Sequence, residues 1–499
     1  MNKPTKAIPI LILAVLAAAL LASAAGPADG ECYTVLVGKK ASSDGSVMLA
    51  HNEDDRGDIL VNLRKIPGRD YGSPQRVDLG KGAFFSTDGR TNGFLWLEAT
   101  TQEFADGFIN EHGVVIVSDS CPSRITGGEL TDGGIGYMLR RLLAEKATSA
   151  REAVRIAGGL IEAFGYRASG RTYSIADKKE AWMLAVLNGR HWCAQRVPDD
   201  EIAIIPNHFT IRKVRLDDPD HFMSSPGLIE YAAKNGWYDK AKDGPFDFKK
   251  AFERPAAADL TRDGNTLRHW RGLNLLTGTA WEIGPDYPFS AKPGQKNTPE
   301  ARRAVLRDHY EGTAYDATDG YKTGSPNKTK YRTICTASTI HSLIVSLDDK
   351  RPEPLEVRIW LALGKPDTTI YLPLYYGAEK WPAAAGTGAL GHDYALFYKQ
   401  HFEDAPLKAA KDGLLRTKVL ALENAAEADY GPMRETLQRG LGPAEKEFLA
   451  GRAKFEKEFA ALYVKDRKAA MSMLDNYIAW VFVMAEGLTE KLLGKPQGV

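Results

Sequence analysis

Cys32 is the residue whose position in the chain points most directly to chemistry. A cut between Glu31 and Cys32 would leave the thiol and a free α-amine on the same residue. Because the pKa of an α-amine is near ~7.7–8.0, this amine could accept the thiol proton at neutral pH. The alternative is a buried or disulfide-bonded cysteine at the start of a strand, and position alone leaves both interpretations open.

The amino terminus has the features of a secretory signal. Lys3 and Lys6 precede an uncharged apolar run over residues 8–21, and small residues then follow at a site that suits signal peptidase. The run is shorter than the ~20 residues that a spanning helix needs, so a retained anchor is the less favoured alternative. We predict a signal peptide over residues 1–24, a short propeptide over 25–31, and an exported protein, periplasmic or extracellular, with no membrane association after signal removal.

Several motifs of other enzyme classes are absent from the sequence. It contains no G-x-x-x-x-G-K-[ST] phosphate loop, no G-x-G-x-x-G after a strand, no H-E-x-x-H and no G-x-S-x-G. Cys121, Cys193 and Cys335 lie too far from one another and from Cys32 to form a C-x-x-C motif, and any disulfide pairing stays open. We therefore predict no cofactor, and cysteine remains the leading candidate nucleophile.

Blocks of the sequence from Cys32 onward resemble the C69 dipeptidases, which are cysteine-type N-terminal nucleophile (Ntn) hydrolases related to choloylglycine hydrolases and penicillin V acylases. The blocks occupy residues 32–46, 50–55, 110–113, 175–182, 196–207, 269–272, 307–316 and 332–342. Each block is a weak signal by itself. Their occurrence in family order, over roughly residues 32–380, is a strong one.

The resemblance implies an α+β fold, the Ntn-hydrolase αββα sandwich of two antiparallel sheets between helix layers. It also implies that Cys32 attacks the scissile amide of small peptides, dipeptides above all, once the Glu31–Cys32 bond is cut. Two alternatives stay open. One is an acylase or amidase that cleaves a non-peptide amide and has a larger apolar slot. The other is a non-catalytic binding protein on the same scaffold.

The resemblance assigns roles to three further residues. Asp54 would stabilise and orient the ammonium form of the Cys32 amine, Asn207 would donate to the oxyanion, and Arg332 would face a substrate carboxylate. Their ordinary alternatives are a solvated turn acid, a turn asparagine and a structural arginine. His51 departs from the family, whose members commonly carry arginine there, and this puts a fixed cation near the thiol in doubt.

Three further positions bear on the chemistry. The acidic residues between 51 and 58 fit no calcium-loop spacing, so we predict no metal. Ser120 stands near the position where choloylglycine hydrolases place an active-site asparagine, which favours the dipeptidase branch. His341 is predicted to be structural, because an Ntn enzyme carries its own base and needs no histidine.

Hydrophobic patterning indicates the elements that must position these residues. Strand-like runs occupy residues 33–38, 47–52, 114–118, 172–176, 181–187, 191–197, 201–205, 339–346, 356–362 and 368–372. Helical periods occupy residues 137–143 and, after a capping box at Ser149 and Glu152, residues 150–161. Residues 210–330 show few clear periods and predict loops and short helices.

From about residue 404 the pattern is that of charged, amphipathic helices, broken near Gly431-Pro432 and Gly442-Pro443. This order of elements predicts α+β rather than alternating βαβ. We divide the chain into a catalytic domain over residues 32–403 and a helical C-terminal extension over 404–499.

The composition argues against one class of partner but does not indicate a function. The 499 residues include 65 Lys+Arg and 64 Asp+Glu, a net charge of +1, so no basic excess favours nucleic acid as a partner. The predicted partner is a small peptide substrate. The apolar stretch 478–484 leaves a homo-oligomer open as well.

Overall fold

A computed structural model describes residues 32–255, 259–316, 324–328, 331–386, 394–403 and 411–494. The predicted signal peptide and propeptide, residues 1–31, lie outside these described residues. The start of the predicted C-terminal extension, at residue 404, also lies outside them.

Two large antiparallel sheets form the centre of the fold. In spatial order, the first contains Ser290–Ala291 (β16), Ile202–Ile205 (β14), Tyr33–Val37 (β1), Val47–Asp54 (β2), Thr339–Leu347 (β17), Val357–Ala362 (β18) and Leu372–Tyr375 (β19). The second contains Phe222–Ser224 (β15), Trp192–Arg196 (β13), Ala181–Gly189 (β12), Tyr166–Ala176 (β11), Val115–Ser120 (β10), Gly107–Asn110 (β9), Phe94–Ala99 (β8) and Val61–Ile66 (β3). Two small two-stranded sheets pair Arg69–Asp70 (β4) with Arg90–Thr91 (β7) and Arg76–Asp78 (β5) with Phe84–Ser86 (β6).

The two sheets pack face to face and each carries helices on its outer face. Between the sheets, Leu49 and Leu343 belong to the same apolar cluster as Val117 and Met183. Met138–Lys146 (α1) and Ala150–Phe164 (α2) cover the outer face of the second sheet, while Gly264–Thr277 (α6) and Pro299–Leu306 (α7) cover that of the first. Both faces of the long strands are therefore buried, which explains their nearly continuous apolar runs. The predicted αββα sandwich is confirmed.

One of the two hydrogen bonds of the capping box predicted at the start of α2 is present. Ser149 Oγ accepts the Glu152 backbone N–H at 3.2 Å, as in a capping box. The Glu152 carboxylate does not return to the Ser149 N–H. It accepts the backbone N–H of Thr148 at 2.7 Å and the Thr148 hydroxyl at 2.6 Å.

The segment predicted as loops and short helices contains one long helix that the pattern missed. Its short helices are Leu228–Lys234 (α3), Lys240–Asp243 (α4), Phe248–Phe252 (α5), α7 and the 3₁₀ turn Pro326–Lys328. The missed helix is α6, with 14 residues. Its buried face includes Arg268 and His269, so its apolar stripe is interrupted by polar side chains and the period is hidden. The strand predicted over 368–372 lies farther along the chain, at β19.

The C-terminal region is helical, as predicted. It contains Tyr394–Glu403 (α8), Leu415–Ala428 (α9), Tyr430–Lys465 (α10) and Arg467–Leu492 (α11), with a 3₁₀ turn at Lys411–Gly413 before α9. A further 3₁₀ turn, Glu353–Leu355, precedes β18 in the sandwich. The predicted break near Gly431 corresponds to the junction of α9 and α10. None of these described helices is both long enough and apolar enough to cross a bilayer.

The break predicted near Gly442-Pro443 is wrong, because α10 continues through Pro443. A proline in a helix normally clashes with the side chain and backbone of the preceding residue, but Gly442 has no Cβ to clash. Packing against the first sheet also stabilises the helix, since Phe455 of α10 contacts Tyr375 of β19 with ring centroids 5.7 Å apart. Trp480, Val483 and Met484 of α11 are exposed, and a homo-oligomer through them stays a prediction.

Candidate active site

The pairing of the first two strands places Cys32 beside the acidic end of β2. Cys32 precedes β1, and Tyr33 lies opposite Asn52 of β2 in the antiparallel register. The fully buried thiol donates to Glu53 Oε1 at 2.9 Å and lies 4.0 Å from the backbone carbonyl of Asp54. Burial, together with the charges of Glu53, Asp119 and Asp54, raises the pKa of Cys32 well above its ordinary value. The resting thiol is therefore protonated and needs a base before it can attack.

Asp54 is buried at the end of β2, so the interpretation as a solvated turn acid is wrong. Its Oδ1 accepts the Thr339 hydroxyl at 2.6 Å, and its Oδ2 lies 3.4 Å from Arg332 Nη2 and 3.9 Å from Arg268 Nη1. Burial raises the pKa of the Asp54 carboxyl well above its ordinary value, although Arg268 favours its charged form. The carboxyl group is within reach of two guanidinium groups but does not contact the thiol directly.

Glu53 is the acid that contacts the nucleophile, and the sequence analysis assigned it no catalytic role. Its Oε2 lies 2.9 Å from His51 Nε2, and His51 Nδ1 lies 2.7 Å from the Thr34 hydroxyl. That hydroxyl also lies 2.7 Å from Asp119 Oδ2 of the second sheet. Burial favours the neutral form of Glu53, but the hydrogen bond and charge of His51 lower the pKa of Glu53 below its ordinary value. A continuous buried chain of polar groups therefore leads from the thiol to the opposite sheet.

Arg268 joins the nucleophile to Asn207, and the sequence analysis missed it although the family block began at the next residue. From the first turn of α6, Arg268 Nη1 donates to the Cys32 carbonyl at 3.0 Å. Its Nη2 donates to Asn207 Oδ1 at 2.7 Å, to Asn265 Oδ1 at 2.8 Å and to the Pro206 carbonyl at 3.2 Å. A buried guanidinium that fixes the backbone of the nucleophile is a strong positioning device.

Asn207 lies immediately beyond β14, in the left-handed backbone conformation with φ of 69°. Asparagine tolerates this conformation better than most residues do. Its Nδ2 donates to the Ser120 carbonyl at 3.0 Å, across to the end of β10. Its Oδ1 is held by Arg268, so the side-chain amide is fixed from both ends at the junction of the two sheets.

Two points concern the cations near the site: the place of Arg332, and the doubt about a fixed cation near the thiol. Arg332 is about a quarter exposed, packs beside Gly264 at the start of α6 and faces Asp54. Burial lowers the pKa of Arg332 to about 9. The doubt about a fixed cation near the thiol is answered from other elements, because Arg268 holds the Cys32 carbonyl and the charge of buried Arg171 in β11 acts on Cys32.

His341 lies in β17 directly opposite Glu53, inside the first sheet. Burial lowers the pKa of His341 to about 3, so the ring is neutral. Neither ring nitrogen has a hydrogen-bond partner among the described residues. This supports its predicted structural role.

Two groups of described side chains have the types and proximity that a metal ion needs. One is Cys32, His51 and Glu53, and the other is His309, Cys335 and Asp367. The first group is tied together by contacts of 2.9 Å, which are hydrogen-bond distances. All four cysteines are described, and each is a free thiol.

A cavity of about 240 Å³ opens beside Asn207. Its walls include Asn265, Lys249, Glu253, Asp263 and Arg254, and so carry both positive and negative charges. The cavity is smaller than the ~300–1,000 Å³ typical of sites for drug-sized ligands. A small ligand with charged ends suits it better than a large apolar group.

Comparison with known proteins shows which family the sequence matches. The profile described as "Peptidase family C69" matches residues 31–70 and 109–400. Similar proteins include a probable dipeptidase of Salmonella dublin, 27% identical over 392 residues, covering 73% of this chain and 85% of that protein. Probable dipeptidase A of Streptococcus pyogenes serotype M1 is 29% identical over 374 residues, covering 70% of this chain and 76% of that protein.

A solved penicillin V acylase from Agrobacterium tumefaciens is also similar over 72% of this chain and 89% of its own, at 14% identity and a TM-score of 0.35. Family membership is carried by the sequence match, which spans more than half of the chain and begins one residue before Cys32. The chain belongs to peptidase family C69 and is a peptide-bond hydrolase.

Proposed function

We propose that this protein is an exported dipeptidase, acting in the periplasm or outside the cell, whose nucleophile is the thiol of an N-terminal Cys32. The observation that carries the proposal is the placement of Cys32. Cys32 follows directly on the predicted propeptide, and its thiol is buried and protonated. Arg268 donates to the Cys32 carbonyl at 3.0 Å. Such a thiol needs a base, and the α-amine freed by cleavage before Cys32 is in position by covalent connection.

In the proposed reaction, the Cys32 amine takes the thiol proton while Sγ attacks the substrate carbonyl carbon. The oxyanion that forms receives an N–H from Asn207 Nδ2, whose other N–H is given to Ser120. Collapse breaks the C–N bond, and the ammonium returns its proton to the leaving amine. Water, deprotonated by the same amine, then hydrolyses the thioester and restores the thiol. Asp54 supports the ammonium form, from its buried place beside two arginines.

Before the propeptide is removed, the Cys32 nitrogen is an amide and cannot act as a base. We propose that Glu53 accepts the thiol proton at this stage, because its Oε1 lies 2.9 Å from Sγ. The hydrogen bond from His51 keeps the Glu53 carboxylate charged despite its burial. Sγ can then attack the Glu31 carbonyl carbon; collapse breaks the Glu31–Cys32 C–N bond, and the Cys32 nitrogen leaves as an amine with the proton that Glu53 had taken. Water then hydrolyses the thioester between Glu31 and Sγ, which releases the propeptide and restores the thiol.

The charged cavity beside Asn207 favours a dipeptide over a non-peptide amide. A dipeptide carries an ammonium and a carboxylate in a small volume, and the cavity offers Asp263 for the ammonium and Arg254 for the carboxylate, beside Lys249 and Glu253, which pair with each other at 2.8 Å. Arg332, packed beside Gly264 at the same end of α6, is the proposed further contact for the substrate carboxylate. An acylase would instead require an extended apolar slot.

The test compares three substrate types on the purified mature protein: free dipeptides, dipeptides capped at one end, and aromatic acyl amides. We expect free dipeptides to be hydrolysed, and capping either end to lower kcat/KM about 10- to 100-fold by removing one of the two substrate charges that the cavity wall would bind. Cys32→Ala should abolish turnover, whereas Cys193→Ala, at another buried thiol, should retain it. Faster hydrolysis of the acyl amides would indicate an acylase. Ligand binding without turnover in the unmodified protein would indicate a binding protein.

A further inference from the structure

A second group of reactive side chains lies away from the nucleophile. His309 follows α7, Cys335 precedes β17, and Asp367 lies in the connection between β18 and β19. His309 and Cys335 are buried and the Asp367 side chain is 8% exposed, and one ligand atom of each residue lies within 4.8 Å of those of the other two. A thiol, an imidazole and a carboxylate from three separate segments form a ligand set that suits zinc.

Two distances in this group, each to a different oxygen of Asp367, are comparable with those between zinc ligands. A tetrahedral zinc ion bound at ~2.3 Å by sulfur and ~2.1 Å by nitrogen or oxygen separates S from O by about 3.6 Å and N from O by about 3.4 Å. Cys335 Sγ lies 3.6 Å from Asp367 Oδ1, and His309 Nε2 lies 3.8 Å from Asp367 Oδ2. The corresponding contacts around Cys32 are only 2.9 Å, too short for two atoms that share one metal ion.

The surrounding contacts orient the three side chains as those of metal ligands usually are. His309 Nδ1 faces Glu311 Oε1 at 3.3 Å, which directs Nε2 toward the other two ligands. Tyr430 donates its hydroxyl to Asp367 Oδ2 at 3.1 Å. Asn327 Oδ1 lies 3.4 Å from His309 Nε2, at the separation expected of a fourth ligand.

We propose that His309, Cys335 and Asp367 bind one Zn²⁺ ion, with Asn327 or a water molecule as the fourth ligand. On binding, the Cys335 thiol loses its proton to solvent and the sulfur forms the metal bond. The ion would join the connection that leads from Arg332 to β17, the β18–β19 connection and, through Tyr430, helix α10. It is a structural site that fixes the segment carrying Arg332.

The experiment measures zinc in the purified full-length chain by mass spectrometry of the element, after dialysis against a chelator-buffered Zn²⁺ solution. We expect one zinc per chain, retained in Cys32→Ala and in Cys193→Ala. Cys335→Ala and Asp367→Asn should lose it, and the second variant keeps the shape of the side chain and its Tyr430 contact. Cobalt substituted for zinc in the Cys32→Ala chain should show a sulfur-to-metal charge-transfer band that disappears in the Cys32→Ala/Cys335→Ala double variant.

Three outcomes would overturn the proposal. The first is a chain that binds no stoichiometric zinc. The second is zinc that persists in folded Asp367→Asn. The third is zinc that is lost in Cys32→Ala, which would place the ion at the nucleophile. If the Cys335 variants do not fold, the cobalt band of the Cys32→Ala chain and the Asp367→Asn measurement decide by themselves. Because zinc is measured without substrate, the result does not depend on the proposed dipeptidase activity.

Discussion

Replacing Arg268 by lysine tests whether the active site is positioned as the structure indicates. Lys keeps the charge but replaces a planar fork of five donors by three donors on one nitrogen atom. The fork reaches Cys32, Pro206, Asn207 and Asn265 at 2.7–3.2 Å, and an ammonium cannot reach all four acceptors. The Asn207 amide then loses the contact that fixes its orientation toward the oxyanion.

The magnitude follows from what Asn207 is proposed to supply. A misplaced oxyanion donor costs about 2.7–4 kcal/mol in the transition state, which corresponds to a kcat about 10²–10³-fold lower. KM should change by no more than about threefold, because Arg268 does not line the charged cavity. Steady-state kinetics with a free dipeptide on the mature protein measure both constants.

Arg271→Lys is the matched control. Arg271 lies one turn along the same helix and makes a comparable fork to Asp308, with contacts of 2.6–2.9 Å, but it touches neither Cys32 nor Asn207. We expect its kcat to stay within about threefold of the unmodified protein. The reasoning is refuted if folded Arg268→Lys keeps its kcat, or if both variants lose kcat equally, since the second result would indicate general damage to α6.

Three further perturbations have defined outcomes. Glu53→Gln removes the proposed base of the uncut chain, so loss of the propeptide, followed by intact mass, should slow at least about 100-fold; an unchanged rate would assign that step to another group. Burial raises the pKa of Asp119 to about 6, above its ordinary value, so this group loses stabilisation as the pH rises from about 4 to 6. Between about pH 4 and 6, the free energy of unfolding measured in urea should therefore fall by about 3 kcal/mol more in the unmodified protein than in Asp119→Asn, and the difference should not grow above that range. A difference that does not change with pH would contradict the raised pKa of Asp119. Gly272→Ala places a Cβ 1.9 Å from the Tyr33 hydroxyl and should cost about 1–3 kcal/mol of stability, whereas Gly159→Ala, with open space around it on α2, should not destabilise; equal effects in thermal melts would contradict the packing.

The sequence predicted the parts of the site that depend on local patterns. The run after Cys32 and the run that ends before Asp54 are strand-like, and adjacent strands joined by a turn pair with each other, so the pairing of β1 with β2 follows from the local sequence. Asn207 was found in the same way, at the end of a strand. These positions follow from the spacing along the chain and from the family blocks.

The rest depends on contacts between distant segments. Arg268 lies 236 residues from Cys32 and on a helix whose buried face is polar, so no hydrophobic period marked it. Glu53 was hidden among neighbouring acids, since only the pleat of β2 determines which of them faces the thiol. The helix through Pro443 formed because packing on β19 outweighs the local preference of proline to end a helix.

The most direct test of the central claim is the intact mass and N-terminal sequence of the active protein purified from its host. The account predicts a chain that begins at Cys32, with dipeptide turnover in proportion to the fraction cut before Cys32. An active chain that retains Glu31 would contradict it, because the nitrogen of Cys32 would then be an amide and could not serve as the base.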